Sequence, residues 1–321
     1  MSDISVIGAG AFGTALAVTL ANGGPSVSLW TRDVDHAEQM RAARENRRRL
    51  PGITLPDTLE ISASPEAFTS PILLLATPMQ TLGTLLEEHG QDIKEAALVA
   101  CCKGVDLERM KGPTGIMEDA CRKAIPAILT GPSFAIDIAR GLPTALTLAC
   151  ADKRTGEVLQ KALSTPTLRL YQSTDPIGAE LGGALKNVIA IACGACIGAG
   201  FGESARAALM TRGFAEMSRL VAALGGKRET LAGLAGFGDL ALTCTSEKSR
   251  NFSHGLALGR GEIPPHGVTV EGVATAAATL KIASKRKLEM PITEAVAALT
   301  SGKITAHDAM DLLLSRPLTF E

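Results

Sequence analysis

Aromatic residues are scarce in this chain, and charge of one sign is not in excess. Only 3% of the 321 residues are Phe, Trp or Tyr, with a single Trp and a single Tyr, and the formal net charge is −1. Proteins that bind nucleic acids usually combine a basic surface with aromatic platforms for the bases. The chain lacks both features, so we expect no nucleic-acid partner and instead a small ligand that is recognised locally.

Apolar segments of membrane-spanning length are also lacking. The most apolar long run, from Val188 to Phe201, falls short of the roughly 20 residues that cross a bilayer. The run is rich in glycine and Glu203 closes it, so we predict a buried helix and no integral membrane segment. The first residues, Met1 to Asp3, show no basic and apolar leader pattern. We therefore expect a cytoplasmic protein.

Metal-ligand spacings are missing as well. The five histidines are scattered, and the one C-x-x-C pair, Cys193 and Cys196, has no second pair to complete a zinc site. We predict no metal. The odd number of cysteines, seven, and the lack of a secretory context favour buried, reduced thiols. Cys101 and Cys102 lie near a predicted ligand crevice, so oxidation sensitivity there is a hypothesis.

The most informative feature that is present lies at the N-terminus. A short apolar strand, Ile4–Ile7, runs into Gly8-Ala9-Gly10-Ala11-Phe12-Gly13, a helical pattern follows, and Val27–Trp30 reads as a second strand. This G-x-G-x-x-G context is typical of dinucleotide binding. The three glycines allow a tight turn, close approach of a pyrophosphate, and close packing of helix on strand. An ordinary glycine-rich turn is the alternative.

The end of the second strand carries the residues that usually distinguish NAD from NADP. An acidic residue there binds the ribose 2′-OH, whereas an arginine accommodates a 2′-phosphate. Arg32 occupies the basic position, and its guanidinium can bind a phosphate in bidentate fashion. Asp33 follows directly, so the pattern favours NADP and leaves use of NAD open. A solvated Arg32 in a loop is the alternative.

Apolar runs with turn residues at their ends continue along the first half of the chain. They are typical of parallel strands buried on both faces, and they lie at 71–78, 96–102, 127–129, 144–148 and 168–171. The predicted fold is an α/β N-terminal Rossmann-like doubly wound sheet, residues 1–174, followed by an all-α C-terminal domain, residues 175–321. Ligands of such sheets bind beyond the carboxyl ends of the strands, so we expect Thr77, Lys103 and Gly131 to line one crevice.

Two residues of the helical half are candidates for proton transfer. Lys186 precedes the most apolar run, and burial there would lower the pKa of its ammonium and suit it to proton transfer near neutral pH. Asn187 adds an amide that could anchor the lysine or a ligand. Asp239 stands between glycines in a segment that could bring a carboxylate close to Lys186 or a ligand. The alternatives are a lysine that reaches solvent from a helix edge and an aspartate that caps a helix.

A third group of polar residues suggests a phosphate site. Ser249, Arg250 and Asn251 follow one another, and they combine a charged fork with neutral hydrogen-bonding groups. The triplet is unspecific on its own.

Taken together and in order, these segments resemble a known family. They are the glycine loop of residues 8–13, Leu50-Pro51-Gly52, Cys102-Lys103-Gly104, Gly131-Pro132-Ser133-Phe134-Ala135, Leu185-Lys186-Asn187, Gly238-Asp239-Leu240, Ser249-Arg250-Asn251 and Val270-Glu271-Gly272. The series is similar to that of bacterial NAD(P)-dependent glycerol-3-phosphate dehydrogenases and extends over essentially the whole chain. Two departures stand out: Ala11-Phe12 within the glycine loop, and Cys101-Cys102 where the family often has Ala-Thr.

The resemblance implies reduction of dihydroxyacetone phosphate to sn-glycerol 3-phosphate, the backbone of phospholipids, with hydride from NADPH or NADH. It implies a homodimer. It implies catalytic roles for Lys186 as the proton donor and acceptor, Lys103 and Asp239. It implies cofactor contacts from Gly8, Gly10, Ala11, Phe12, Gly13, Arg32, Lys103, Ala135, Arg250 and Glu271. It implies substrate contacts from Lys103, Gly131, Ser133, Lys186, Asp239, Ser249, Arg250 and Asn251.

Two other functions remain open at this stage. A related reductase would use a similar lysine on a 3-hydroxy acid or a ketopantoate-like substrate and would prefer a carboxylate to a phosphate. A dinucleotide sensor would bind NADPH without turnover. The combination of Lys103, Lys186 and Asp239 argues against a sensor, because binding alone requires none of them.

Overall fold

The computed structural model of the protein describes residues 2–264 and 269–316. The chain forms two compact units, one made of Met1–Lys103 and Lys111–Glu180, the other of Gly104–Met110 and Leu181–Glu321. Apart from Gly104–Met110, the units divide between 180 and 181, whereas the sequence places a domain boundary at 174–175. Residues 1, 265–268 and 317–321, which the two predicted domains include, lie outside the described residues.

The first unit is built on a single sheet of eight strands. In chain order they are β1 Ile4–Ile7, β2 Val27–Trp30, β3 Glu60–Ser62, β4 Ile72–Leu75, β5 Ala97–Ala100, β6 Ile125–Thr130, β7 Thr144–Cys150 and β8 Leu168–Ser173. The helices that alternate with them are α1 Ala11–Asn22, α2 Val34–Ala43, α3 Met79–His89, α4 Pro113–Ala120, α5 Ala135–Ala139 and α6 Lys153–Leu163.

The strand order is β3-β2-β1-β4-β5-β6-β7-β8, and all neighbours are parallel except β6 and β7. The order reverses between β1 and β4, which is the switch point where such sheets bind their ligands. The predicted doubly wound α/β sheet is confirmed. Only β3 is missed by the sequence, because this three-residue strand has a single buried apolar side chain, Ile61, and so lacks a periodic pattern.

The continuous apolar character of the strands follows from burial on both faces. Every residue of β1 and β2 is buried, including Ser5 and Ser28. The two serine hydroxyls lie 2.6 Å apart, so each polar group has a partner within the core. The central strands therefore hold the loops that follow them in a rigid frame, and one of those loops is the glycine loop after β1.

Among its described residues the second unit contains helices joined by turns and loops, and no strand. Its helices in chain order are α7 Pro176–Gly198, whose first turn belongs to the other unit, α8 Gly202–Ala223, α9 Arg228–Ala232, α10 Asp239–Cys244, α11 Arg250–Gly259, α12 Glu271–Arg286, α13 Pro291–Thr300 and α14 Ala306–Leu314. A π-helical segment, Leu234–Gly238, precedes α10. The predicted all-α C-terminal domain is confirmed.

The apolar run predicted as a buried helix, Val188 to Phe201, lies in α7 only as far as Gly198. Helix α7 begins earlier, at Pro176, and has 23 residues. By length and composition alone α7 could cross a membrane, but 89% of its most apolar window is buried inside the protein. From Leu181 onward α7 is the core of the helical unit, with Val188, Ile189 and Ile191 each no more than 1% exposed.

Glycines allow α11 to approach α7 to backbone contact. Gly194 and Gly198 on α7 face Gly255 and Gly259 on α11, and both pairs have the G-x-x-x-G spacing. A Cβ at Gly194 would lie 2.0 Å from the carbonyl oxygen of Phe252. No side chain fits such a gap, so this spacing fixes where the N-terminus of α11 lies along α7.

A buried carboxylate in the first unit anchors the start of α4. The side chain of Glu180 accepts hydrogen bonds from the Thr114 hydroxyl at 2.6 Å and from the Thr114 backbone N–H at 3.2 Å. Burial raises the pKa of Glu180 to about 7, and the two bonds from Thr114 only partly offset that effect. This role is not predictable from the sequence, because no local pattern distinguishes Glu180 from other carboxylates in helical segments.

This raised pKa predicts a pH dependence of stability. Between the ordinary pKa of 4.5 and about 7 the folded protein holds a proton that the unfolded chain releases, so stability falls as pH rises through that window. Glu180→Gln mimics the protonated form. Relative to wild type, its free energy of unfolding should rise by about 1–3 kcal/mol between pH 5 and pH 8, measured by urea unfolding. Glu157→Gln, an exposed change on α6, is the control and should show no such trend, and a flat difference for Glu180→Gln would contradict the prediction.

Candidate active site

The glycine loop after β1 adopts a backbone that only glycine tolerates at two positions. Gly8 has a φ of +115°, and a Cβ there would lie 2.8 Å from the carbonyl oxygen of Ala76. A Cβ at Gly13 would lie 2.1 Å from the carbonyl oxygen of Gly8. The first glycine therefore permits the turn, and the last permits α1 to pack against the loop, as the sequence pattern predicts.

The loop has the features that a dinucleotide diphosphate requires. Helix α1 begins after Gly10, and no side chain caps its first N–H groups, which together with the helix dipole favour an anion. Ala11 and Phe12 are its first two residues and are half-buried. Beside Gly8, the buried Thr77 hydroxyl has no hydrogen-bond partner among the described residues. These groups fit a bound pyrophosphate, and the hydroxyl is a further candidate contact that the sequence did not single out.

A buried asparagine that sequence reasoning missed fixes the glycine loop from behind. The Asn46 amide donates to the carbonyl oxygen of Ala9 at 3.0 Å and to the Thr14 hydroxyl at 2.8 Å. Its oxygen lies 3.0 Å from the ring nitrogen Nε2 of His36. The surrounding charged stretch of residues 41–49 is helical only to Ala43. Nothing in its composition marks Asn46 as the one residue of the stretch that is fully buried.

At the end of β2 the two residues relevant to cofactor choice differ in their environment. Arg32 is exposed, and within 2–264 and 269–316 no ion pair involves it. Asp33 caps α2, since its carboxylate accepts from the backbone N–H of His36 at 2.9 Å. That hydrogen bond, and then the Arg48 guanidinium, lower the pKa of Asp33. Arg32 is thus available to a phosphate, whereas Asp33 has a structural partner.

Further along the sheet, the loops after β5 and β6 meet as the sequence predicts. The ammonium of Lys103 donates to the carbonyl oxygen of Gly131 at 3.3 Å, and the Ser133 hydroxyl donates to the same oxygen at 3.3 Å. Ala135 is the first residue of the short helix α5. The structure therefore brings Lys103, Gly131 and Ser133 together at the carboxyl ends of neighbouring strands.

In the helical unit, Lys186 and Asp239 form a buried ion pair. The Lys186 ammonium lies 2.6 Å from Oδ1 of Asp239 and 2.7 Å from the hydroxyl of Thr243. Lys186 is 6% exposed and Asp239 is fully buried. The two side chains carry opposite charges, and the low dielectric of the interior strengthens their attraction. The predicted approach of Asp239 to Lys186 is observed, and the alternative of a lysine reaching for solvent is wrong.

Thr243 is a site residue that the sequence analysis did not identify. Asp239 begins α10 and Thr243 lies four residues later, so both project from one face of that helix toward Lys186 on α7. The i, i+4 spacing of a carboxylate and a hydroxyl was the available signal. This spacing indicates a role for Thr243 only when the position of Lys186 is known.

The triplet predicted to bind phosphate forms the start of α11. Ser249 caps the helix by accepting from the backbone N–H of Phe252 at 3.2 Å, Arg250 is the first helical residue and is exposed, and Asn251 is the second. The first N–H groups of a helix have no partner within it, and its dipole favours an anion there. The backbone N–H groups and the Arg250 guanidinium together make a site suited to a phosphate.

The Asn251 side chain serves the interior rather than this surface. Its amide donates to the oxygen of Asn187 at 2.9 Å, and its own oxygen accepts from the backbone N–H of Gly272 at 2.9 Å. The Asn187 amide lies 3.5 Å from a carboxylate oxygen of Glu271, at the start of α12. The predicted contact between Asn251 and the substrate would therefore come from its backbone, because its side chain joins α7, α11 and α12.

All seven cysteines are free and buried, which confirms the predicted reduced thiols. Burial raises the pKa of Cys101 to about 12, and the nearby Lys103 charge only partly opposes this. A thiol in that state forms almost no thiolate at neutral pH and reacts slowly with oxidants. The hypothesis of oxidation sensitivity is therefore not supported for Cys101, and for Cys102, which is also buried, it stays a prediction.

Known proteins resemble the chain over its full length. Residues 3–156 match the family model described as NAD-dependent glycerol-3-phosphate dehydrogenase N-terminus, and residues 175–311 match its C-terminus. Two relatives named glycerol-3-phosphate dehydrogenase [NAD(P)+] are similar. The one from Ruegeria sp. (strain TM1040) is 57% identical over 99% of this chain and all of its own, and the one from Paracoccus denitrificans (strain Pd 1222) is 56% identical over the same shares.

Among solved structures, the glycerol-3-phosphate dehydrogenase from Coxiella burnetii is 36% identical, with a TM-score of 0.93 over 98% of this chain and 99% of that one. The chain belongs to the NAD-dependent glycerol-3-phosphate dehydrogenase family.

Proposed function

We propose that the protein is an NAD(P)-dependent glycerol-3-phosphate dehydrogenase that reduces dihydroxyacetone phosphate to sn-glycerol 3-phosphate, reversibly. The observation that carries this proposal is the buried Lys186 ammonium held by Asp239 and Thr243 in a chain of this family. Reduction of a ketone needs a proton at the carbonyl oxygen, and a buried, oriented ammonium is suited to supply it. The product provides the backbone for phospholipid synthesis.

In this mechanism the reduced nicotinamide supplies the hydride. Lys186 donates a proton from Nζ to the substrate oxygen as negative charge develops on it, and in the oxidation direction it takes the proton back. Asp239 and Thr243 hold the ammonium in place, so it need not reorganise during the reaction. Before the substrate binds, the negative charge of Asp239 balances the positive charge of the buried Lys186 ammonium. Lys103 contributes a second positive charge that contacts the substrate.

We assign substrate phosphate to the N-terminus of α11, with Arg250 as the charged contact. The helix has ten residues, and its first backbone N–H groups and dipole favour an anion. A phosphate there would explain why Ser249 caps the helix through its side chain and leaves the first N–H groups to a ligand. A carboxylate substrate of a related reductase would need fewer of these donors.

Arg250→Ala tests the phosphate site. We expect kcat/KM for dihydroxyacetone phosphate to fall roughly 10–100-fold, mainly through KM, because a hydrogen bond between charged groups is lost. Arg260→Ala, at the opposite end of α11 and also exposed, is the matched control and should behave as wild type. Steady-state kinetics with both variants provides the measurement. An unchanged KM for Arg250→Ala would refute the assignment.

The remaining site residues are assigned as follows. The glycine loop with Ala11 and Phe12 binds the dinucleotide, and Arg32 reads a 2′-phosphate, so NADPH is preferred while NADH is also used. Lys103, Ala135, Arg250 and Glu271 complete the cofactor contacts. Gly131, Ser133, Ser249 and Asn251 contact the substrate. Residues 1–174 serve as the dinucleotide-binding domain and residues 175–321 as the substrate domain of a cytoplasmic homodimer.

A single assay separates this function from its competitors. The purified enzyme is mixed with dihydroxyacetone phosphate and NADPH, then with NADH, then with a panel of 3-keto acids, and loss of the reduced nicotinamide is followed by its absorbance. Turnover with the phosphate ester alone supports the proposal. Turnover only with keto acids would indicate a related reductase, and tight NADPH binding without any turnover would indicate a sensor.

A further inference from the structure

The acidic residue next to Arg32 is occupied in a way that bears on cofactor choice. A free carboxylate after the second strand accepts from the ribose 2′-OH of NAD and repels the 2′-phosphate of NADP. In Asp33, however, Oδ1 accepts from the backbone N–H of His36 at 2.9 Å and Oδ2 accepts from the guanidinium of Arg48 at 2.8 Å. Both oxygens therefore have partners within the protein.

Arg48 is held in this position by its other nitrogens. Its Nε and Nη2 both donate to Oε1 of Gln39, at 3.1 and 2.8 Å, which fixes the plane of the guanidinium. The donors and acceptors of the cluster come from α2 and from the segment that follows it. An exposed ion pair without such a second contact would be mobile and contribute little.

The segment that carries Arg48 is itself anchored to the glycine loop. Asn46, two residues earlier, is fully buried and donates to Ala9 and Thr14, at the loop and at the start of α1. The same two-residue connection therefore ties the Arg48 guanidinium to the part of the protein that receives the cofactor. Arg48 is the one arginine among the five in residues 41–49 whose guanidinium contacts Asp33.

We propose that Arg48 is a specificity-determining residue that acts through Asp33: it neutralises the carboxylate and keeps it from the ribose, so that Arg32 faces a 2′-phosphate without an opposing charge. The proposal rests on the proposed use of NADPH through Arg32. Without Arg48, Oδ2 of Asp33 would lose its partner and could turn toward the ribose or the 2′-phosphate.

A double-mutant cycle tests this role. Dissociation constants for NADPH and NADH are measured by fluorescence quenching for wild type, Arg48→Ala, Asp33→Asn and the double variant. Asparagine caps a helix about as well as aspartate, so Asp33→Asn removes the charge and retains α2. We expect Arg48→Ala to weaken NADPH binding roughly threefold to tenfold and to leave NADH binding unchanged or tighter. In the Asp33→Asn background the same change should have almost no effect.

Three readouts distinguish this proposal from simpler ones. If Arg48→Ala costs as much in the Asp33→Asn background, Arg48 contacts the phosphate directly and the proposal is wrong. An equal loss for NADPH and NADH would mean a purely structural role and would also overturn it. The expected loss should shrink at about 1 M salt, where charges are screened within a few ångströms. Arg47→Ala, an exposed neighbour paired with Glu45, is the control and should leave both constants unchanged.

The proposed role of Arg32 is tested separately. Arg32→Ala should weaken NADPH binding and leave NADH binding little changed. If both cofactors weaken equally, Arg32 does not read the 2′-phosphate and that part of the proposed function fails. The coupling between Arg48 and Asp33 would still be decided by the cycle, because a bound 2′-phosphate senses the Asp33 charge whether or not Arg32 contacts it.

Discussion

Replacing Lys186 with alanine is expected to lower kcat for dihydroxyacetone phosphate by roughly 10³-fold or more. The variant loses the group that protonates the developing alkoxide and the positive charge that stabilises it. The dissociation constant for NADPH should stay within about threefold of wild type, because Lys186 is not one of the proposed cofactor contacts, and the glycine loop and Arg32 belong to the other compact unit. Single-turnover kinetics and cofactor titration measure the two quantities, and near-normal turnover would remove Lys186 as the proton donor.

Loss of folding must be separated from loss of chemistry in this experiment. Lys186→Ala leaves the fully buried Asp239 carboxylate without the ammonium, and breaking a buried pair typically costs about 3–5 kcal/mol. The double variant Lys186→Met with Asp239→Asn removes both charges and should fold more stably than Lys186→Ala. It should remain inactive. Recovery of turnover in the double variant would show that the single variant had failed only because its structure was damaged.

Thr243→Val is a milder companion that addresses positioning. It removes the 2.7 Å hydrogen bond that the Lys186 ammonium donates to the Thr243 hydroxyl, and it introduces no charge. A drop in kcat together with an unchanged KM would indicate that Thr243 acts through the orientation of Lys186.

Gly255→Ala is expected to have the largest effect on stability, a loss of about 3 kcal/mol or more. The added Cβ would lie 2.0 Å from the carbonyl oxygen of Ile191 and 3.0 Å from the backbone nitrogen of Ala195. Because these neighbours are backbone atoms of a core helix, the clash is relieved only by moving α11 away from α7. Urea unfolding measures the stability, and activity should fall with it, since α11 carries the proposed phosphate site.

The control for this prediction is another glycine within a helix. A Cβ at Gly115 in α4 would meet only the side chain of Lys111, at 3.5 Å. Gly115→Ala should therefore be neutral or stabilise the protein by about 0.5–1 kcal/mol, because alanine favours helix more than glycine does. If both alanine variants lose stability equally, the close approach of α11 to α7 does not govern the effect at Gly255.

Local signals were sufficient for the outline of the first unit. Each buried strand reads as an apolar run because both of its faces are covered, and the glycines of residues 8–13 follow from backbone sterics alone. The weak elements were those without periodicity. Strand β3 has three residues, and the segment after α2 has a charged composition in which the inward orientation of Asn46 leaves no mark.

The helical unit was harder to read in detail. Its apolar residues predict helices, and helix type is a local property with a period of 3.6 residues. The contacts between helices have no such period. The G-x-x-x-G pairs of α7 and α11 are visible in the sequence, but their pairing becomes apparent only when the two helices are seen to touch.

The sequence by itself determined the fold classes, the dinucleotide loop and the types of group available for chemistry, because these depend on residues close together in the chain. Only the tertiary structure decided which groups meet. The Lys186 side chain contacts Asp239, 53 residues away, and Thr243, 57 residues away. Asp33 caps the N-terminus of α2 and pairs with Arg48, which follows the C-terminus of the same helix. Such pairings depend on how helices and loops pack, and packing is set by backbone approach and burial over the whole unit, which no local pattern encodes.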